Sequence, residues 1–358
     1  MTSKKKNTLA LFDEIVDFMK KQEATTDIDE KKHLWNKIIL TAAFKRRQRR
    51  ARIYASLTTA AAVFVGLMVW IEPASRFEDD TKLNMVFSEV SIPKQASDII
   101  LMVSDSNEIR IDKDTAVVNF SEKGKITVNS KAIATQSSSK GMEEKYNQII
   151  VPGGKRTMLT LSDSTKIWIN AGTRVIFPKE FKGVKRKIFV DGEAYLEVAR
   201  NTEKPFIVET PAQFEIEVLG TSFNVCTYDE LEFATVVLAH GSVEIKGVGR
   251  QKRIMSPNQL VRIDEKGVLD ETISVNAEDY TSWTKGIMVL NSRPFSEVVK
   301  TLQIYFGVSL EVDQSLDEII SGQLALKDNF DEVLSGLQHI VAFTYSKDQN
   351  GIYKIEKH

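Results

Sequence analysis

The sequence predicts a mainly β protein anchored by one membrane-crossing helix, with a short helical arm before it, an all-β region after it and a small C-terminal α+β region in which a β-α-β pattern occurs twice. Three observations carry this expectation. Residues 53–71 form an apolar run whose only ionisable group is the Tyr54 phenol. From Ile99 onward, apolar and polar residues alternate with period two between closely spaced turn residues. From Trp283 two stretches of helical period appear, each between short strands. A chain of 358 residues, 42% hydrophobic and 27% charged, is long enough for two or more domains and is neither disordered nor fibrous in composition. The expected order is an arm over 1–52, a transmembrane helix over 53–71, a linker over 72–98, an all-β domain over 99–275 and an α+β domain over 283–358.

In the arm, Leu9, Phe12, Val16 and Met19 recur at helical spacing, and Leu34, Trp35, Ile38, Ile39 and Ala42 do the same before a basic run. About 50 residues are too few for two such helices to bury a stable core of their own. Their apolar stripes therefore call for a protein groove or the membrane face, with a weak self-closing hairpin as the alternative.

The formal net charge of −1 hides an asymmetry: 14 Lys and Arg stand against 7 Asp and Glu up to residue 52, and 34 against 42 beyond it. Much of the excess is Lys45, Arg46, Arg47, Arg49, Arg50 and Arg52, directly before the apolar run, whereas the 20 residues after that run hold only Arg76 and Lys82 as cations. Cations gather on the cytoplasmic side of a span, so the arm is expected in the cytoplasm and the bulk of the chain outside the inner membrane. A nucleic-acid patch is the competing explanation of a basic run, but beside a span anionic headgroups are the nearer partner, and no direct nucleic-acid contact is expected.

The run itself, Ile53 to Ile71, reads IYASLTTAAAVFVGLMVWI. At ~1.5 Å per residue it just crosses ~30 Å of hydrocarbon, with Tyr54 and Trp70 where interfacial aromatics belong. A buried core helix seldom runs this far without a charge. A cleaved signal peptide fits poorly, because 52 preceding residues are too many and Glu72 and Ala74 make no small-x-small site.

Beyond the linker, strands are expected in KITVN, TMLTLSDSTKIWIN, RKIFVDG, AYLEVA, FIVET, FEIEVLG, ATVVLA and SVEIKG. Leu101 to Ile111 (LMVSDSNEIRI) and Leu159 to Ile169 (LTLSDSTKIWI) repeat Leu, Ser-Asp-Ser and two isoleucines at the same offsets, which predicts two hairpins with similar turns. In the C-terminal region a strand over 286–290 leads to a helix whose first turn holds Pro294, with Phe295, Val298, Val299, Leu302 and Phe306 buried. Strands over 308–312 and 319–326 follow. A second helix starts at Asn329, with Glu332 in capping-box spacing and Val333, Leu337, Ile340 and Val341 on its apolar side, and paired strands FTYSK and IYKIE close the chain.

Little points to chemistry. Cys226 is the only cysteine, and His33, His240, His339 and His358 are far apart, so neither a disulfide, a metal site nor a cofactor site is expected. Asp163, Asp191, Glu193 and Glu197 are the best candidates for a glycosidase pair. Against that, Asp163 and Asp191 fall at turns where Asp bonds its own backbone, and Glu193 and Glu197 fall on strand faces where charge is ordinarily solvated, so no enzyme is expected. Pro152-Gly153-Gly154-Lys155 lacks the upstream glycine and following Ser/Thr of a phosphate loop and reads as a turn entering a strand. Trp168, Trp283 and Phe223 suit a carbohydrate platform or, more simply, core positions.

The motifs VPGGKRTMLTLSDSTKIWINAGTRVIFPKEF, DGEAYLEV, KPFIVET, VLGTSFNV and LAHGSVEI, in order from Val151 to Ile245, resemble the FecR family of membrane-bound anti-sigma factors and sigma regulators. The tail from Ser282, SWTKGIMVLNSRPFSEVVKTLQIYFGVSLEV through FDEVLSGLQHI, is similar to the C-terminal domain of such regulators and to the short N-terminal domain of secretins and TonB-dependent transducers. The family usually has Asp-Gly-Thr where this chain has Asp163-Ser164-Thr165, so a different turn type is expected there. The arm is also shorter than the family's longer anti-sigma domain, which leaves open whether it inhibits or assists its partner. The resemblance implies that a TonB-dependent outer-membrane transducer docks within residues 284–358, and that envelope proteases then release the arm with its extracytoplasmic-function sigma factor. The other reading is a membrane-anchored periplasmic scaffold or carbohydrate-binding module without a sigma partner.

Overall fold

The computed structural model describes residues 16–17, 97–103, 107–113, 115–121, 125–135, 146–326 and 329–358. The arm stripes other than Val16, the basic run at 45–52 and the apolar segment 53–71 lie outside the described residues; Val16 is helical and exposed. Among the described residues no helix is long and apolar enough to cross a membrane. The chain divides into two compact units, Met1–Asp79 and Asp80–His358, and the β and α+β regions share the second.

The β region is two stacked sheets. The first runs, in spatial order, Lys252–Met255, Val243–Lys246, Glu215–Val218, Phe206–Glu209, Arg186–Asp191, Thr173–Pro178, Tyr146–Val151, Ile99–Val103 and Asn107–Ile111. The second runs Ile273–Ser274, Gln259–Ile263, Ala234–His240, Ser222–Cys226, Glu193–Glu197, Lys166–Ile169, Arg156–Thr160, Thr115–Phe120, Lys125–Val128 and Lys131–Thr135. Period-two alternation decides what lies between them: Ile149, Val151, Ile188 and Ile216 of the first sheet join Ile167, Leu196, Phe223 and Val225 of the second in one core. The chain passes from the first sheet to the second at Gly192. Its φ of +112° and the 2.5 Å that would separate an added Cβ from Thr173 Oγ1 leave room for glycine alone.

The internal repeat forms two hairpins of identical register, one per sheet: Leu101 faces Ile109, and Leu159 faces Ile167. The turn at Asp163-Ser164-Thr165 carries strain at one residue. Ser164 takes a left-handed φ of +70°, while its N–H donates to the Leu161 carbonyl and the Thr165 N–H donates to Asp163 Oδ1. A side chain there costs about 1 kcal/mol relative to glycine. Ser164→Gly should therefore raise unfolding stability by about 1 kcal/mol in a urea titration, and no gain would mean that the hydroxyl contributes as much as the strain removes.

The C-terminal region holds two small sheets and two helices. Strand Ile287–Pro294 pairs antiparallel with Ile319–Ala325, and Leu310–Val312 lies parallel to Tyr353–Lys357, which pairs antiparallel with Phe343–Lys347. Helix Phe295–Phe306 begins one residue after the position expected for Pro294, which acts as N-cap, and it buries Tyr305 rather than Phe306. In helix Phe330–Leu337 the Asn329 side chain accepts from the Asp331 N–H. That helix ends at Leu337, so Ile340 lies past it and is 46% exposed while Val341 is buried. Both helices cover a core formed with Leu290, Leu316, Ile320, Phe343 and Ile355.

Candidate functional site

The outer face of the second sheet is where the β region meets the C-terminal region. Alternation that sends Ile167, Leu196 and Phe223 inward sends Trp168, Tyr195 and Asn224 outward, and the register sets Tyr195 between the other two. The Trp168 and Tyr195 rings lie 5.5 Å apart and both pack on the C-terminal core. Trp283 belongs to that core, and its Nε1 donates to Asn224 Oδ1 at 3.1 Å. Of the three aromatics considered as a carbohydrate platform, Phe223 is therefore inter-sheet core, Trp283 is C-terminal core and Trp168 lies in the seam.

The turn at Pro152–Lys155 proves to be a dock. The Gly154 N–H donates to the Tyr305 carbonyl at 3.0 Å, and a Cβ on Gly153 would stand 2.3 Å from the Cα of Gly307. Gly307, at φ +63°, ends helix Phe295–Phe306 in the left-handed conformation. The Arg156 guanidinium lies 4.3 Å over the Tyr305 ring. Here two backbones touch without side chains between them, a contact the sequence does not reveal because both glycines have ordinary local duties in a turn and a helix cap.

Beside this contact lies a cavity of about 590 Å³ with walls from both regions, among them Asn170, Glu193 and Asn224 on one side and Trp283, Arg293 and Tyr305 on the other. Glu193, expected to be solvated, is instead held: it accepts from Asn170 Nδ2 at 2.7 Å and from Asn224 Nδ2 at 3.0 Å. Burial pushes its carboxyl above the ordinary range, against the pull of the two amides. Cys226 lies opposite Glu193 in the register, and burial together with the Glu193 charge pushes its thiol well up, so it is not a reactive nucleophile. The Tyr305 hydroxyl is buried with no hydrogen-bond partner.

The other acidic candidates are engaged separately. Asp163 accepts from Thr165 Oγ1 at 2.8 Å and from Arg186 Nη1 at 2.7 Å, and Asp191 pairs with Arg174 at 3.4 Å, its carboxyl raised by burial. Glu197 is half-exposed on the second sheet opposite Lys166. Asp191 and Glu193 are two residues apart but belong to different sheets, and of the four acidic candidates only Glu193 lines the cavity. Among the described residues no group of three or more His, Cys, Asp or Glu could hold a metal ion.

Two family models match this chain, "FecR protein" over residues 147–244 and "FecR, C-terminal" over residues 287–354. Two crystal structures of a candidate anti-sigma factor from Parabacteroides distasonis, at 1.65 and 2.50 Å, are similar to it at 30% identity and a TM-score of 0.54, and the match covers 59% and 60% of this chain and 99% of theirs. The chain belongs to the FecR family. No curated protein matches it. Within this FecR chain the first model spans the Gly153–Gly154 turn, Glu193 and Asn224, and the second spans Arg293, Tyr305 and Gly307. The seam thus joins the two family segments.

Proposed function

We propose that this FecR-family chain is a transmembrane anti-sigma factor or sigma regulator that passes a signal from outside the inner membrane to a cytoplasmic sigma factor. The observation that carries the reading is the match, over 99% of its length, to the Parabacteroides distasonis candidate anti-sigma factor. In this reading residues 1–52 bind an extracytoplasmic-function sigma factor through the stripes of Leu9, Phe12, Val16 and Met19 and of Leu34, Trp35, Ile38 and Ile39. Residues 53–71 cross the membrane, the basic run keeps the arm inside, 72–98 link, and the regions 99–275 and 283–358 stand in the periplasm. A TonB-dependent transducer adds a strand to the C-terminal region, and envelope proteases release the arm. Strand Phe343–Lys347 suits that addition, since it pairs on one side only among the described residues. In this reading the function is regulatory.

The test is a pull-down of residues 1–52 against the cell's sigma factors, with Phe12→Asp plus Ile38→Asp as control. Capture of an extracytoplasmic-function sigma factor by the wild-type arm, reduced at least about tenfold in the double variant, is expected if two buried apolar anchors are lost. An arm that captures none would turn the reading toward an anchored envelope scaffold.

A further inference from the structure

We propose that the outer face of the first sheet is a docking surface for this chain's own segment 80–96, the stretch that leads into the β region. Alternation that sends Ile149, Val175 and Ile188 inward sends Ile150, Ile176, Phe189 and Ile207 to the far side of the sheet. The register sets them close together: Phe189 faces Ile176, and Ile150 faces Ile100. Ile176 and Phe189 form a cluster separate from the inter-sheet core.

A sheet face open to water leaves such side chains partly exposed. Here Ile176 and Ile207 are 0% exposed and Ile150 and Phe189 are 1% exposed, while Arg174 on the same face is 3% exposed. Another layer therefore covers this face. Among the described residues the C-terminal region does not supply it, since its helices lie on its own core and it meets the β region at the second sheet.

Three observations single out residues 80–96 as the cover. The first is membership: the compact unit that holds both sheets begins at Asp80, whereas residues before it form another unit. The second is reach. Strand Ile99–Val103 belongs to this sheet, four inter-strand gaps from Phe206–Glu209. Those gaps span ~19 Å at the usual strand spacing, and the six residues 93–98 extend to ~20 Å.

The third is chemistry. Leu83, Val86, Phe87 and Val90 fall at spacings of 3, 1 and 3, one apolar helical stripe, with Asn84, Ser88 and Glu89 off it and Pro93 closing the pattern. Residues 136–145, the other stretch near the sheet outside the described residues, read QSSSKGMEEK and offer Met142 as their one large apolar side chain. An apolar stripe of this length suits the row from Ile150 to Ile207, and burying both removes apolar surface from water on each side. In the proposed relay the docked segment is kept from envelope proteases until the sheet releases it.

The test uses the full-length protein in lipid nanodiscs, with the photo-cross-linker p-benzoylphenylalanine in place of Phe87 and, as control, in place of Asn84. Illumination of the Phe87 variant should yield cross-links, mapped by mass spectrometry, to strands Tyr146–Val151, Thr173–Pro178, Arg186–Asp191 or Phe206–Glu209 of the same chain, and the Asn84 variant should yield at least about fivefold fewer. Phe87→Asp plus Val90→Asp should speed proteolytic cutting within 80–96 at least about tenfold, because opening no longer exposes two buried apolar side chains, while Asn84→Asp plus Ser88→Asp should cut like wild type. Cross-links from position 87 to lipid would make the membrane the cover, and cross-links to a second copy would make the face a self-association surface; either overturns the proposal. So do equal yields from the two positions, or cutting unchanged in the Phe87→Asp plus Val90→Asp variant. The docking does not depend on the sigma partner: failure of the arm pull-down leaves it standing, and a segment that never meets the sheet leaves the arm result intact.

Discussion

Gly153→Val should detach the C-terminal region from the β region. The added carbon would sit 2.3 Å from the Gly307 Cα, and since the obstacle is backbone, no rotamer change can relieve it. The chain has two ways to respond. It can shift the turn at Pro152–Lys155, which breaks the bond from Gly154 N–H to the Tyr305 carbonyl and moves Arg156 off the Tyr305 ring, or it can let the end of helix Phe295–Phe306 lift away. Either exposes Trp168 and Tyr195. A loss of about 3 kcal/mol follows, which for a unit of this size lowers the melting temperature by roughly 6–12 °C. Limited proteolysis should show new cuts near residues 275–286, between the two regions. Gly336→Ala is the control: nothing lies within 4 Å of its added carbon, and it should not lower the melting temperature. An unchanged melting temperature and digest for Gly153→Val would show that the glycine contact does not hold the two regions together. In the proposed relay such a variant would bind the transducer and fail to pass the signal, because force applied to the C-terminal region would end at the broken seam.

Period-two alternation made most of the β region readable. Inward Ile167, Leu196 and Phe223 follow directly from their parity, and the repeat at Leu101 and Leu159 announced two hairpins whose registers agree residue for residue. Helix boundaries in the C-terminal region were less legible: Pro294 caps the helix instead of opening its first turn, and the second helix stops three residues before Ile340. The seam was hidden for a different reason. Parity assigns Trp168, Tyr195, Glu193 and Asn224 to the outer face, and an outer face ordinarily meets water, so Glu193 read as solvated. Only the packing of a second region on that face turns it into a half-buried acceptor, and no local pattern in 190–200 records what arrives from residues 283–307. The polar seam residues are visible in the sequence at best as an Asn on a strand, Asn224, whose low strand propensity goes unexplained by its neighbours.

Asp163→Ala should be the most damaging single change in the first family segment. Arg186 is 2% exposed. Its Nε donates to the Lys204 carbonyl and its Nη1 to the Ala199 carbonyl, and it lies 5.2 Å over the Phe206 ring, but Asp163 is the anion that neutralises it. Removing the partner of a buried charge costs about 3–5 kcal/mol, far more than the pair contributes relative to a well-packed apolar pair. The same change also frees the Thr165 N–H and hydroxyl, which tie the turn to the start of strand Lys166–Ile169. Adding Arg186→Met to Asp163→Ala should recover much of the loss, because the buried charge goes with its partner, while Asp163→Asn, which keeps an acceptor, should fall between the two. Urea unfolding of the three variants checks this order. If Asp163→Ala unfolds at the wild-type midpoint, Arg186 is neutralised by something other than Asp163. If instead stability is kept while a glycosidic activity disappears, the carboxylate was serving chemistry after all, and the regulatory reading of this turn would have to be abandoned.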